Sequence, residues 1–127
     1  MSGAGRESKL RDLSAREEQR RLSRDDLLRP RIIEKTQFIE SLGGEVVVRS
    51  LSHELRQRLR EQSGAGGAEF DEDKFTMLII VNSVVDPKLT ESDIEELRKQ
   101  DASVIDELSL HLTMLNMMGR TEELGKD

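Results

Sequence analysis

The residues able to do chemistry in this chain are few: two histidines, His53 and His111, no cysteine, and many carboxylates. Glu107 lies four residues before His111, which on a helix puts two metal-ligand types on one edge. Two ligands do not complete a site, and the alternative is a surface His53 in the first turn of a helix and a half-buried His111. Gly64-Ala65-Gly66-Gly67 precedes a helix, as phosphate loops do, but those loops continue into Lys and then Ser or Thr. Here the helix opens Asp71-Glu72-Asp73, three carboxylates that would repel a phosphate. The same cluster has the alternating acidic spacing of a calcium loop at Asp71 and Asp73. Phe75 then stands where the third ligand belongs and no Gly follows at the sixth position, so helix capping explains it better. There is no Gly-x-Ser-x-Gly elbow, and no spacing selects a Ser, His and Asp triad. The expectation is a protein with no catalytic, cofactor or metal site, which works by binding and is not an enzyme.

The elements that carry these residues can be read from pattern. Residues 1–22 hold Leu10, Leu13 and Leu22 among Arg, Glu, Ser and Gly, too little apolar surface to fold on, and read as a flexible charged tail. From Ser23 a short polar start with the Leu27-Leu28 pair meets Pro30, which stops a helix. Residues 32–50 read as a β-hairpin, with β-prone residues on either side of Gly43-Gly44. Helices are predicted over 52–62, where Ser52 caps and Leu51, Leu55 and Leu59 recur every four residues, and over 71–85, capped by Asp71. The second is apolar all round and belongs at the centre of a bundle; a buried strand through Ile79-Ile80-Val81 is the competing reading. Asp86-Pro87 ends it, Thr90-Glu91-Ser92-Asp93 resembles a capping box opening a helix over 90–99, and Asp101 or Ser103 starts the last helix, 103–118, before Gly119. The fold class is therefore mainly α with a small β-hairpin (α+β), an N-terminal hairpin packed on a bundle of about four helices. Residues 23–119 form one domain and 120–127 a C-terminal tail.

Composition narrows the function class. Residues 1–31 hold nine Lys/Arg against six Asp/Glu and the remainder eleven against twenty, so the body is acidic. With three Phe and no Trp or Tyr it lacks the basic face and stacking platforms of nucleic-acid binders. The longest apolar run, Met77 to Val81, is far short of the roughly 20 residues that span a bilayer, and no membrane partner is expected. On the last helix, Val104, Ile105, Leu108, Leu112 and Leu115 fall within about 100° of one another, a core face. Leu110, Met114 and Met117 form a second stripe between about 220° and 280°, beside Glu107 near 300°. Two readings of that stripe stay open. It is a protein-binding surface, since Met-rich stripes re-pack around different partners, or it is buried against the 71–85 helix.

The order of these pieces resembles the tail assembly chaperones of long-tailed bacteriophages and gene transfer particles. The matching text is Ser23-Arg24-Asp25-Asp26-Leu27-Leu28-x-Pro30, then Gly43-Gly44-x-Val46-x-Val48-Arg49-x-Leu51-Ser52, then Leu89-Thr90-Glu91-x-Asp93-Ile94 with an apolar helix behind it, over about residues 23–119. Leu42 departs from the pattern, standing where many relatives have Trp, and residues 1–22 have no counterpart. The resemblance implies a phage tail assembly chaperone that binds the tape measure protein, keeps it soluble in the host cytoplasm, helps recruit major tail tube subunits, and is absent from the mature virion. It also implies that a chain ending at Asp127 is the unextended form, since frameshifting adds a second domain in many relatives. Self-association is left open, and no cofactor is implied. The alternatives are a tail-completion or head-to-tail connector protein retained in the particle, and a small acidic regulator of another protein.

Overall fold

The computed structural model describes residues 20–64, 66 and 69–118, the side chains of Met117 and Met118 excepted. Residues 1–19 of the expected tail, Gly119 and the expected C-terminal tail at 120–127 lie outside the described residues. The chain divides into two compact units, 1–31 and 32–127. In the first, helix α1 (Arg24–Leu28) is fixed by a reciprocal capping box. Asp26 N–H donates to Ser23 Oγ at 3.1 Å, and Ser23 N–H donates to Asp26 Oδ2 at 2.9 Å. The Asp26 carboxyl sits below the usual carboxylate range, first because it accepts the Ser23 backbone N–H.

The second unit is α+β, with the hairpin and helices expected from pattern. Strands β1 (Glu34–Ile39) and β2 (Gly44–Arg49) pair antiparallel from Glu34↔Arg49 to Ile39↔Gly44. The connection is longer than a tight two-residue turn: Glu40 to Gly43 intervene, and only Gly43 takes a positive φ, 68°. At the open end, Ser50 N–H donates to the Ile33 carbonyl and Ile33 N–H donates to the buried Ser50 Oγ, both at 2.8 Å, which closes the hairpin base. Helix α2 (His53–Gln62) begins at Ser52, whose Oγ accepts Leu55 N–H at 3.1 Å. Helix α3 (Glu72–Ser83) begins at Asp71, which accepts Lys74 N–H at 3.0 Å.

Helix α3 stops two residues before the predicted end. Val84–Asp86 forms a third strand, β3, pairing antiparallel with β2 at Val47↔Asp86 and Val48↔Val84 across an irregularity, in the order β1-β2-β3. The reason is physical: the free edge of β2 offers ladder partners that another helical turn cannot use, and β-branched Val84 and Val85 suit the pleat. After the cis Asp86–Pro87 bond, a 3₁₀ turn (Glu91–Asp93) leads into the short helix α4 (Ile94–Leu97). Thr90 N–H donates to Asp93 Oδ2 at 2.7 Å. Arg98 closes the α4 end with a 3.1 Å ion pair to Asp73 in the first turn of α3.

Helix α5 (Ala102–Thr113) is capped by Asp101, which accepts both N–H and Oγ–H of Ser103, and it runs into a single π turn (Met114–Met118). These hydrogen bonds from Ser103 hold the Asp101 carboxyl below its usual range. The core lies between the sheet and the two long helices. Ile39, Val48, Ile80, Val84, Val104, Leu108, Leu112 and Leu115 form one buried cluster, with Ile33, Val46, Ile79, Leu89, Leu97 and Ile105 packed against it. Leu59 of α2 and Met77, Leu78 and Val81 of α3 are buried as well. Helix α3 is therefore buried on several sides and central, and Ile79-Ile80-Val81 is helical.

Candidate protein-binding site

The candidate site is the side of α5 turned away from its core face. Asp101 fixes where the helix starts, and from there Val104, Leu108, Leu112 and Leu115 are committed to the core. Of the three residues singled out for partner binding, Leu110 is exposed, at 58% of its full surface. Met114 is half-buried at the join with the π turn. The side chain of Met117 lies outside the described residues. The wider i→i+5 turn also moves positions after Met114 off the 100° spacing on which the stripe was drawn. The structure thus brings Leu110 to the surface and leaves Met114 partly covered.

Glu107, read in the sequence only as a break in that stripe and a weak ligand edge, is fully engaged. Its Oε2 accepts the Glu40 backbone N–H at 2.6 Å, and its Oε1 accepts Ser41 N–H at 2.9 Å and Ser41 Oγ–H at 2.6 Å. One carboxylate therefore holds the β1–β2 turn against α5. The hydrogen bonds from Ser41 are the main reason its pKa falls from 4.5 to about 2; partial burial opposes the shift, and Glu40 and His111 add to it. His111 Nε2 stands 3.5 Å from Glu107 Oε2 and 3.5 Å from Gln37 Nε2, so it packs between helix and hairpin. Among the described residues no group of three His, Cys, Asp or Glu is placed to hold a metal.

Asn116 is a second engagement that pattern reading missed. Its Oδ1 accepts Leu51 N–H at 2.7 Å, and its Nδ2 donates to the Leu112 carbonyl at 2.8 Å. The only sequence signal was a polar residue at the edge of an apolar face. Between them, Glu107 and Asn116 fix both ends of the hairpin. Leu42, in the turn that Glu107 holds, is 57% exposed, and Phe38 of β1 is also exposed. Phe38 alternates with Gln37, which meets His111, and with buried Ile39, so it lies on the sheet face away from α5; Leu42 at the hairpin tip and Leu110 on α5 are the exposed aliphatic side chains flanking the Glu107 fastening. No helix among the described residues is long and apolar enough to cross a membrane.

No known protein family, curated protein or solved structure matches the chain.

Proposed function

We propose that this chain is a nonenzymatic tail assembly chaperone that binds the tape measure protein and helps bring tail tube subunits to it in the host cytoplasm. The observation that carries the reading is Leu110, an aliphatic side chain left in solvent on a helix whose other faces are used by the core and the hairpin. Leu42 is a second exposed aliphatic side chain, and it departs from the resembled family, where many relatives have Trp, an aromatic type favoured at binding hot spots. A chaperone for long amphipathic helices needs apolar contacts of this kind, small enough to release.

The test is co-purification of the tape measure protein with wild type and with Leu110→Asp. Because Leu110 is exposed, the variant is expected to fold normally by circular dichroism and to lose the partner, since binding would desolvate a carboxylate against apolar surface. A folded Leu110→Asp variant that retains the partner refutes this role for the surface. Mass spectrometry of purified particles tests the rest. The chaperone role expects the chain to be absent, and fixed copies per particle would assign it to tail completion.

A further inference from the structure

Helix α2 is arginine-rich in an otherwise acidic body: Arg56, Arg58 and Arg60 against Glu54 and Glu61. Arg56 is half-buried, yet its guanidinium makes no hydrogen bond or ion pair with any described residue. Arg60 lies over the Phe75 ring at 5.1 Å from its centre, an arrangement that leaves the guanidinium edge free to donate. Both arginines border a cavity of about 140 Å3 between α2, α3 and α5, whose apolar wall is Phe75, Ile79 and the fully buried Leu112. Thr113 and Asn116 complete the rim.

Size and charge together select an occupant. Pockets for cofactors and drug-sized ligands run to roughly 300–1,000 Å3, so this one takes a single side chain. Its wall is aliphatic and aromatic, which suits Leu, Ile, Met or Phe. A guanidinium is always charged, and one held half out of water without a counter-ion is stabilised by any carboxylate that reaches it, best as a two-pronged pair. Nucleic acid is disfavoured, because the one aromatic face here is already covered by Arg60.

We infer that this cavity is a docking site for an acidic segment of a partner protein, which inserts one apolar side chain against Ile79 and Leu112 while flanking carboxylates pair with Arg56 and Arg60. The site lies on a different face from Leu110 and does not depend on the tail-chaperone reading. Because the net charge of the chain is −6, attraction of an acidic segment must come from this local cationic rim, and binding weakens as salt rises.

The experiment uses the full chain and three fluorescein-labelled helical peptides in an anisotropy titration. One carries Leu at helical spacing among Glu, one replaces every Glu by Lys, and one replaces every Leu by Ser. The Glu/Leu peptide is expected to bind wild type best, to shift the methyl resonances of Ile79 and Leu112, and to lose at least about tenfold in affinity for Arg56→Glu/Arg60→Glu, the loss of one or two charge-assisted hydrogen bonds. The Lys/Leu peptide is expected to prefer that double variant. Arg56→Gln/Arg60→Gln, which removes charge without reversing it, serves if the Glu variant melts early, with a smaller loss expected. Equal affinity of wild type and the Gln variant, no preference for the Glu/Leu peptide over the other two, no binding at all, or methyl shifts confined to other residues would each overturn the assignment. So would tighter binding of a single-stranded oligonucleotide in the same titration.

Discussion

Glu107 shows how much one carboxylate can determine. It accepts three hydrogen bonds from the hairpin turn, and its folded pKa of about 2 against an ordinary 4.5 ties those bonds to pH. A depressed carboxyl stabilises the fold fully above its unfolded value, and that contribution is lost as pH falls from about 4.5 toward 2. Glu107→Gln is therefore expected to melt at lower temperature than wild type at pH 7, and the gap should close as the pH is lowered through that window. Asp26 and Asp101 are shifted in the same direction, so only the difference between wild type and variant isolates Glu107. A gap that stays constant from pH 7 to pH 2 would mean that the carboxylate form contributes nothing. The sequence carried a trace of this role: an acidic residue interrupting an apolar stripe needs a reason. It could not name the partner, because Glu40 and Ser41 lie 67 and 66 positions away.

At the scale of elements, local signals marked starts better than stops. Ser52, Asp71 and Asp101 each cap a helix through their own side-chain oxygen, an interaction completed within three residues and so readable locally. Where α3 ends is decided by the open edge of β2, and Val84 follows Ser83 with no glycine to mark the change. Strand β3 was therefore invisible to periodicity. The glycines of the turns make the opposite case, because they have unequal duties. Gly64 has φ +98°, and a Cβ there would lie 2.5 Å from the Glu69 carbonyl oxygen, whereas Gly44 has ordinary φ and open space. Gly64→Ala should cost about 2 kcal/mol or more in urea unfolding, while Gly44→Ala should be close to neutral. Equal stabilities would show that the Gly64 backbone conformation is not required.

For the whole molecule, protection from amide exchange should follow burial. Among the described helices of residues 32–118 the slowest amides are expected from Met77 to Val81 of α3 and Leu108 to Leu112 of α5, which share the core, and the fastest from α4, which contributes only half-buried Ile94 and Leu97. Slower exchange in α4 than in α3 would relocate the core. The overall plan was legible because α3 is apolar all round and the core face of α5 is written in its spacing. The binding surfaces were less so: the stripe on α5 assumed an unbroken α-helix, and the π turn from Met114 breaks that assumption. The arginines of α2 lie off its Leu51, Leu55 and Leu59 stripe, and only their meeting with Phe75, Ile79 and Leu112 makes them a rim.

The two fastenings of the hairpin set its length. Glu107 holds the tip and Asn116 the exit, nine positions apart on one continuous helical segment, which fixes them about 13 Å apart along the axis. Inserting two residues into each strand would carry the tip about 7 Å further out, more than twice the reach of a hydrogen bond. Ser41 would then lose Glu107, although every rung of the β1–β2 ladder could still form. The α5 segment is thus a gauge against which the hairpin is measured, and a change in the length of one is tolerated only with a matching change in the other.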